Sequence, residues 1–278
     1  MRKSRQQNRA FRQLFWAALA VLALTSTVGI ETASANAAQP AGPQDKPTVV
    51  LVHGAFADSS SWSPVIDQLK DDGYPVVAVA NPLRGVKSDA DYTASVLKTI
   101  PGPIVLVGHS YGGQVITAAA TGNQNVKALV YVAGFAPEKG DSAATLSGKF
   151  PGSTLLEALA PPAPLPGGGK DLYIRQDKFR EQFAADVSEE EAKIMAATQR
   201  PVTEAAINDK LQAEPAFKSK PSWFIYGTLD KNIPAQTHAF MAQRAGAKKT
   251  VSVDGASHVV MISHPQQVAK VIRDAAQS

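Results

Sequence analysis

The 278-residue sequence predicts an α/β architecture: a mostly parallel central sheet flanked by helices, with a helical cap inserted. Three observations predict it. Six strand-like runs, at 47–53, 75–80, 103–107, 127–133, 222–226 and 249–253, alternate with helical patterns, as in a mostly parallel sheet covered on both faces. The run Gly108-His109-Ser110-Tyr111-Gly112 stands between one of those strands and a helix of small residues. Nearly ninety residues separate the strand ending near Gly134 from the one beginning at Ser222, where a simple crossover needs far fewer.

The chain begins with Arg2, Lys3, Arg5, Arg9 and Arg12 ahead of the apolar run Leu14–Leu24, and then carries Ala33-Ser34-Ala35 and Ala35-Asn36-Ala37, each an AxA cleavage pattern. This predicts a secretory signal peptide over 1–37 and a globular domain over 38–278, hence a secreted or periplasmic protein of bacterial export type. The apolar core is short for a membrane span and nothing hydrophobic follows it, so no stable membrane association is expected after leader removal. No Arg-Arg pair supports twin-arginine export. Of 28 basic and 24 acidic residues, five and one (Glu31) lie in the leader, leaving 23 of each. The high pI is therefore largely the leader, and nucleic acid is not an expected partner. With no cysteine, the mature chain of roughly 240 residues must fold without disulfides, which a domain of that size can do on its core alone.

Within the domain, Trp62, Val65, Ile66 and Leu69 follow Ser59-Ser60-Ser61 at helical spacing and predict a core-facing stripe. Ser88 and Asp91 resemble a capping pair for a helix running through Leu97. The insertion, about 136–220, opens with the Pro/Gly passage 161–169, either a hinge or a surface loop. Helical patterns follow around 179–187, 188–200 and 201–212, the middle one started by a Ser188/Glu191 capping box. Phe179, Phe183, Ile194 and Met195 read as residues packing the cap onto the body rather than as a substrate pocket.

A strand, a tight GxSxG turn and a helix form the context of a nucleophile elbow, with glycines at 108 and 112 because a side chain there would strike the neighbouring strand or helix. Ser110 is the expected nucleophile. A neutral hydroxyl needs an imidazole to take its proton. Of the histidines at 53, 109, 238, 258 and 264, His258 sits best, in the last strand-to-helix loop before the helix 265–276. His264, followed by Pro265, reads as the start of that helix. Asp230 closes the apolar run 222–229 and is the expected acid, with Asp254 as substitute. Oxyanion stabilisation calls for two backbone N–H groups: Tyr111, directly after the nucleophile, and Ala55 after the first strand, with Phe56 in reserve. His53 and His109 read as turn and packing residues.

In Leu51-Val52-His53-Gly54-Ala55, the elbow 108–112, Gly227-Thr228-Leu229-Asp230 and Ser257-His258-Val259-Val260-Met261, the chain resembles the α/β-hydrolase superfamily over roughly 46–278. Within it, the chain is similar to compact bacterial esterases and to the plant methyl esterase and hydroxynitrile lyase group. The resemblance implies a cofactor-free serine hydrolase using the triad and amides just named. It departs at Val259, where the hydroxynitrile lyases carry a lysine that neutralises departing cyanide, and this favours hydrolysis. Serine at 110 disfavours the aspartate-nucleophile dehalogenases and epoxide hydrolases. The histidines lack metal-ligand spacing and Gly167-Gly168-Gly169 lacks the partners of a phosphate loop, so neither metal nor phosphate site is expected. The expected activity is cleavage of small-molecule carboxylic esters through an acyl-enzyme. A cofactor-free lyase or carbon–carbon bond hydrolase on the same triad, and a non-catalytic binding protein, stand as alternatives.

Overall fold

Runs of Val, Ile and Leu without polar alternation suit strands that are covered on both sheet faces, and those runs become the centre of the molecule. The computed structural model describes residues 46–278, so the leader read over 1–37 lies outside the described residues. The body begins with β1 (Thr48–Val52), α1 (Ser63–Asp71), β2 (Val76–Val79), α2 (Val86–Lys98), β3 (Ile104–His109), α3 (Tyr111–Ala119) and β4 (Val126–Val132). The insertion carries α4 (Ala143–Ser147), α5 (Leu155–Ala158), β5 (Ala163–Pro164), β6 (Lys170–Leu172), α6 (Gln176–Phe183), α7 (Glu189–Thr198), β7 (Val202–Thr203) and α8 (Glu204–Asn208). The body resumes with β8 (Ser222–Gly227), α9 (Ala235–Arg244), β9 (Lys249–Val253), α10 (Val260–Ser263) and α11 (Pro265–Ala276).

Six strands form one parallel sheet in the order β2-β1-β3-β4-β8-β9. The chain runs outward from β1 to β2, then crosses back over β1 to reach β3. That reversal opens a crevice at the carboxyl ends of β1 and β3, where open parallel sheets place their ligands. The inner strands β1, β3, β4 and β8 are almost wholly buried, whereas the edge strand β9 is largely open. Trp62, Val65 and Leu69 are fully buried, so the stripe on α1 is core. Among the described residues, no helix is long and apolar enough to cross a membrane.

Several local expectations are corrected. Ser88 and Asp91 do not cap α2. Ser88 lies inside the helix and bonds Gly85 O, while Asp91 pairs with Lys87 one turn back. The buried carboxylate of Asp89 serves the helix start instead, accepting from Arg84 N at 3.0 Å and Gly85 N at 3.4 Å. The Pro/Gly passage is a hairpin turn between β5 and β6, closed by Leu165 N–H to Gly169 O and Gly168 N–H to Leu165 O, both 3.1 Å. With β7 these strands make a small antiparallel sheet. The third cap helix shrinks to α8, because Val202 and Thr203 pair with Leu172 and Asp171, and Thr203 then caps α8 through its hydroxyl. Ser188 does cap α7, accepting from Glu191 N at 3.1 Å.

Candidate active site

The turn after β3 holds Ser110 at φ 52°, a left-handed conformation that a non-glycine residue adopts only under strain. Four backbone hydrogen bonds hold it: Ser110 N–H is shared between Val132 O and Ala133 O at 3.3 and 3.2 Å, and Ser110 O accepts from Gly113 N and Phe135 N at 2.9 and 3.0 Å. The flanking glycines are steric necessities. A Cβ on Gly108 would lie 2.6 Å from Gly112 O, and one on Gly112 would collide with the carbonyls of Val52 and His53.

Asp230 sits in the β8–α9 loop with its side chain fully buried. Its Oδ1 accepts from the backbone N–H groups of Asn232 and Ile233 at 2.8 and 3.0 Å, and its Oδ2 from two imidazoles: His258 Nδ1 at 2.6 Å and His238 Nε2 at 3.1 Å. Burial opposes ionisation most strongly, yet attraction to His258 and the hydrogen bonds from both imidazoles prevail and hold the carboxyl below the usual carboxylate range. With Nδ1 committed to Asp230, His258 has Nε2 left over. That atom is buried and has no hydrogen-bond partner among the described residues. Ser110 and His258 line one cavity, although no hydrogen bond joins Ser110 Oγ to His258 Nε2. Asp254 is elsewhere, accepting from Thr228 Oγ1 on the exposed side. His264 lies at the start of α11 with Pro265 at its first position, beside Ser263 Oγ at 2.9 Å.

On the other side of Ser110, the loop after β1 brings Ala55 and Phe56 to the cavity wall. Their amides differ. Phe56 N–H is spent on Arg200 O at 3.0 Å, whereas Ala55 N–H and Tyr111 N–H make no hydrogen bond among the described residues. His53 holds the Ala55 loop to the end of β2: its Nε2 accepts from Asn81 N at 3.0 Å, so its proton lies on Nδ1, which donates to Gly54 O at 3.0 Å. Burial lowers its pKa to about 4. His109 donates from Nε2 to His258 O at 3.1 Å and so braces the backbone of that loop. Tyr111 is braced in turn by its phenol, which donates to buried Asp89 at 2.9 Å.

The cavity above Ser110 measures about 280 Å³, at the small end of ligand sites. Its walls are mainly apolar, from Phe135, Ala143, Leu155, Phe183, Ile207 and Ile233. Phe183 brings the cap against His258, with its ring centroid 5.0 Å from that of the imidazole. Phe179 packs behind it, fully buried, while Ile194 and Met195 line a separate cavity and Ile194 is largely exposed. The cap also grips the loops beneath it. Gln182 Nε2 donates to Lys231 O and Asn232 Oδ1 at 2.9 and 3.0 Å, and Ser257 Oγ donates to Asp186.

Residues 49–271 match the alpha/beta hydrolase family. The chain belongs to that family. Among curated relatives of this α/β hydrolase, the α-hydroxynitrile lyase of Arabidopsis thaliana is 24% identical over 240 residues, 79% of this chain and 93% of that one. Polyneuridine aldehyde esterase of Rauvolfia serpentina is 24% identical over 252 residues, 82% and 95% of the two chains. A crystal structure of polyneuridine aldehyde esterase superposes with a TM-score of 0.70 at 22% identity, covering 82% of this chain and 98% of the other. An extracellular alpha/beta-hydrolase from a Paenibacillus species does so at 0.68 and 21%, covering 84% and 100%. The two structural likenesses speak to the fold. The relatives include esterases and a lyase, and the chain is a hydrolase by family.

Two side chains of this α/β hydrolase escaped the reading of its sequence. His238 received no assignment, although it shares one helical stripe with buried Met241 and a buried imidazole requires an acceptor. Asp89 is the second, an acid one turn into α2 and so placed to take amides from the helix start.

Proposed function

We propose that this α/β hydrolase is an exported serine carboxylesterase that cleaves small, neutral esters through an acyl-enzyme. The observation that carries the reading is the His258–Asp230 bond, which leaves His258 Nε2 as an unpaired acceptor on the cavity wall that also holds strained Ser110. Ser110 Oγ attacks the ester carbonyl as its proton passes to His258 Nε2. Asp230 keeps the imidazole in the required tautomer and offsets the imidazolium charge. The free N–H groups of Ala55 and Tyr111 receive the oxyanion. Collapse expels the alcohol, which takes the proton from His258. Water then enters by the same route, releases the acid and restores Ser110. The open Ser110–His258 link is compatible with this, because relay bonds in resting enzymes often tighten only with substrate in place. The apolar walls favour a neutral acyl group, and the leader supports export.

A lyase reading draws on the hydroxynitrile lyase relative. Val259, buried and uncharged, offers no cation to departing cyanide and favours hydrolysis. The decisive experiment replaces Ser110 with alanine. S110A should lower turnover of a short p-nitrophenyl ester by roughly four to six orders of magnitude and abolish labelling by a fluorophosphonate, with the fold intact. Retention of most activity rejects the proposal. Cyanide release from a cyanohydrin at a rate above that of any ester would favour the lyase.

A further inference from the structure

Asp230 Oδ2 carries two donors, and only one of them belongs to the proposed relay. His238, from α9, reaches the same oxygen as His258. Both side chains are about 1% exposed, so neither bond competes with bulk water. His238 is also clamped flat against Tyr226 of β8, the rings stacked with centroids 4.8 Å apart and planes within 13°. Its tautomer follows from its contacts. Asp230 is an acceptor, so the proton lies on Nε2. Nδ1 is then bare, and it has no partner among the described residues. A second proton on Nδ1 would be a buried donor without an acceptor, so His238 stays neutral. Burial, opposed by Asp230, lowers the pKa of His238 and agrees with that state.

We propose that His238 is a positioning residue: its Nε2–H anchors the shared carboxylate oxygen of Asp230 and tempers the basicity of His258. This rests on the serine-hydrolase reading above. A carboxylate oxygen that already accepts a hydrogen bond has less charge to lend to a second donor. Less of that charge is then available to the imidazolium of His258 than from a carboxylate with a free Oδ2. The titratable groups facing His238 are Asp230 from the β8–α9 loop, His258 from the β9–α10 loop and Tyr226 from β8. On its own helix, Arg244 is engaged elsewhere, with Ala136 O and Asp141.

Three substitutions separate the hydrogen bond from packing. H238Q can place an amide N–H where Nε2 stands. H238F keeps a ring for Tyr226 and removes the donor. H238M has similar length and no donor, and is read in place of H238F if circular dichroism shows that H238F does not fold. The His258 imidazole is titrated by NMR in the resting full-length protein, and the acid limb of kcat/KM is measured alongside on a p-nitrophenyl ester. Loss of the donor should raise both midpoints by roughly 0.5–1 pH unit, while H238Q should track the wild type. Midpoints unchanged in H238F, or displaced equally in H238F and H238Q, overturn the proposal and leave His238 a packing residue. The NMR titration needs no turnover, so it tests His238 even if S110A disproves the esterase assignment.

Discussion

Lowering the pH should destabilise this protein well before its carboxylates protonate, and His53 lets the effect be measured one residue at a time. His53 is fully buried, neutral and hydrogen-bonded through both ring nitrogens, and its pKa lies at about 4. In the unfolded chain it returns to the ordinary histidine value of about 6.5. The folded pKa is depressed, so the unfolded state binds the proton first. The contribution is present in full above about pH 6.5 and is lost as pH falls toward 4. The span is about 2.5 pH units, or roughly 3.4 kcal/mol when complete, and between pH 7 and pH 4.5 the loss is roughly 2.4 kcal/mol. The perturbation is H53Q, whose side-chain carbonyl can accept from Asn81 N–H in place of Nε2 and does not titrate. Urea unfolding of both proteins at the two pH values gives the difference directly. His238, also lowered by burial, titrates equally in both backgrounds and cancels, and His109 cancels for the most part because His53 is the smallest of the influences on it. Equal losses of stability for H53Q and wild type would refute the reasoning, because the proton uptake would then belong to other groups.

Two further predictions concern the cavity and its supports. Asp89→Ala strips the acceptor from Arg84 N, Gly85 N and the Tyr111 phenol. It should destabilise the fold by about 2–4 kcal/mol and lower kcat more than it raises KM, since the Tyr111 amide loses its anchor. An unchanged urea midpoint would show those donors to be satisfied another way. Phe183→Ala removes a buried ring between Phe56, Phe179 and His258. A cost of about 3–5 kcal/mol is expected, together with a higher ratio of kcat/KM for bulky over small acyl esters. A ratio that stays constant would place the acyl group away from this residue.

The inner sheet strands were legible because each is a dense apolar run of the kind that burial on both faces demands, from Val49-Val50-Leu51-Val52 to Trp223-Phe224-Ile225, and the open edge strand β9 because Thr250-Val251-Ser252-Val253 alternates. The turn around Ser110 was legible because glycine alone fits at 108 and 112. Local pattern failed where partners far along the chain decide the outcome. Val202-Thr203 looks like helix until Leu172 and Asp171 pair with it, and 161–169 is a hinge or a loop until Ala163 meets Asp171. The choice between the Ala55 and Phe56 amides turns on one distant acceptor, Arg200 O. His238 was invisible for a different reason: Asp230 stands only eight residues before it, but nothing in that spacing announces a carboxylate oxygen shared with His258.

The grip of the cap on the loops below it has a consequence for how selectivity can change in this lineage. The helix that carries Phe183 also bears Gln182, and Gln182 bonds the segment that folds around Asp230. Asp186, a few residues on, holds the neighbour of His258. A substitution that reshapes the cavity by shifting this helix therefore tugs on Asp230 and His258 together. The wall around Ala143 and Leu155 is tied to the same segment, with Ser147 and Ser153 donating to Asn232 O and Thr154 N–H to Lys231 O, so new substrates should be reached by exchanging side chains that leave both backbones where they are.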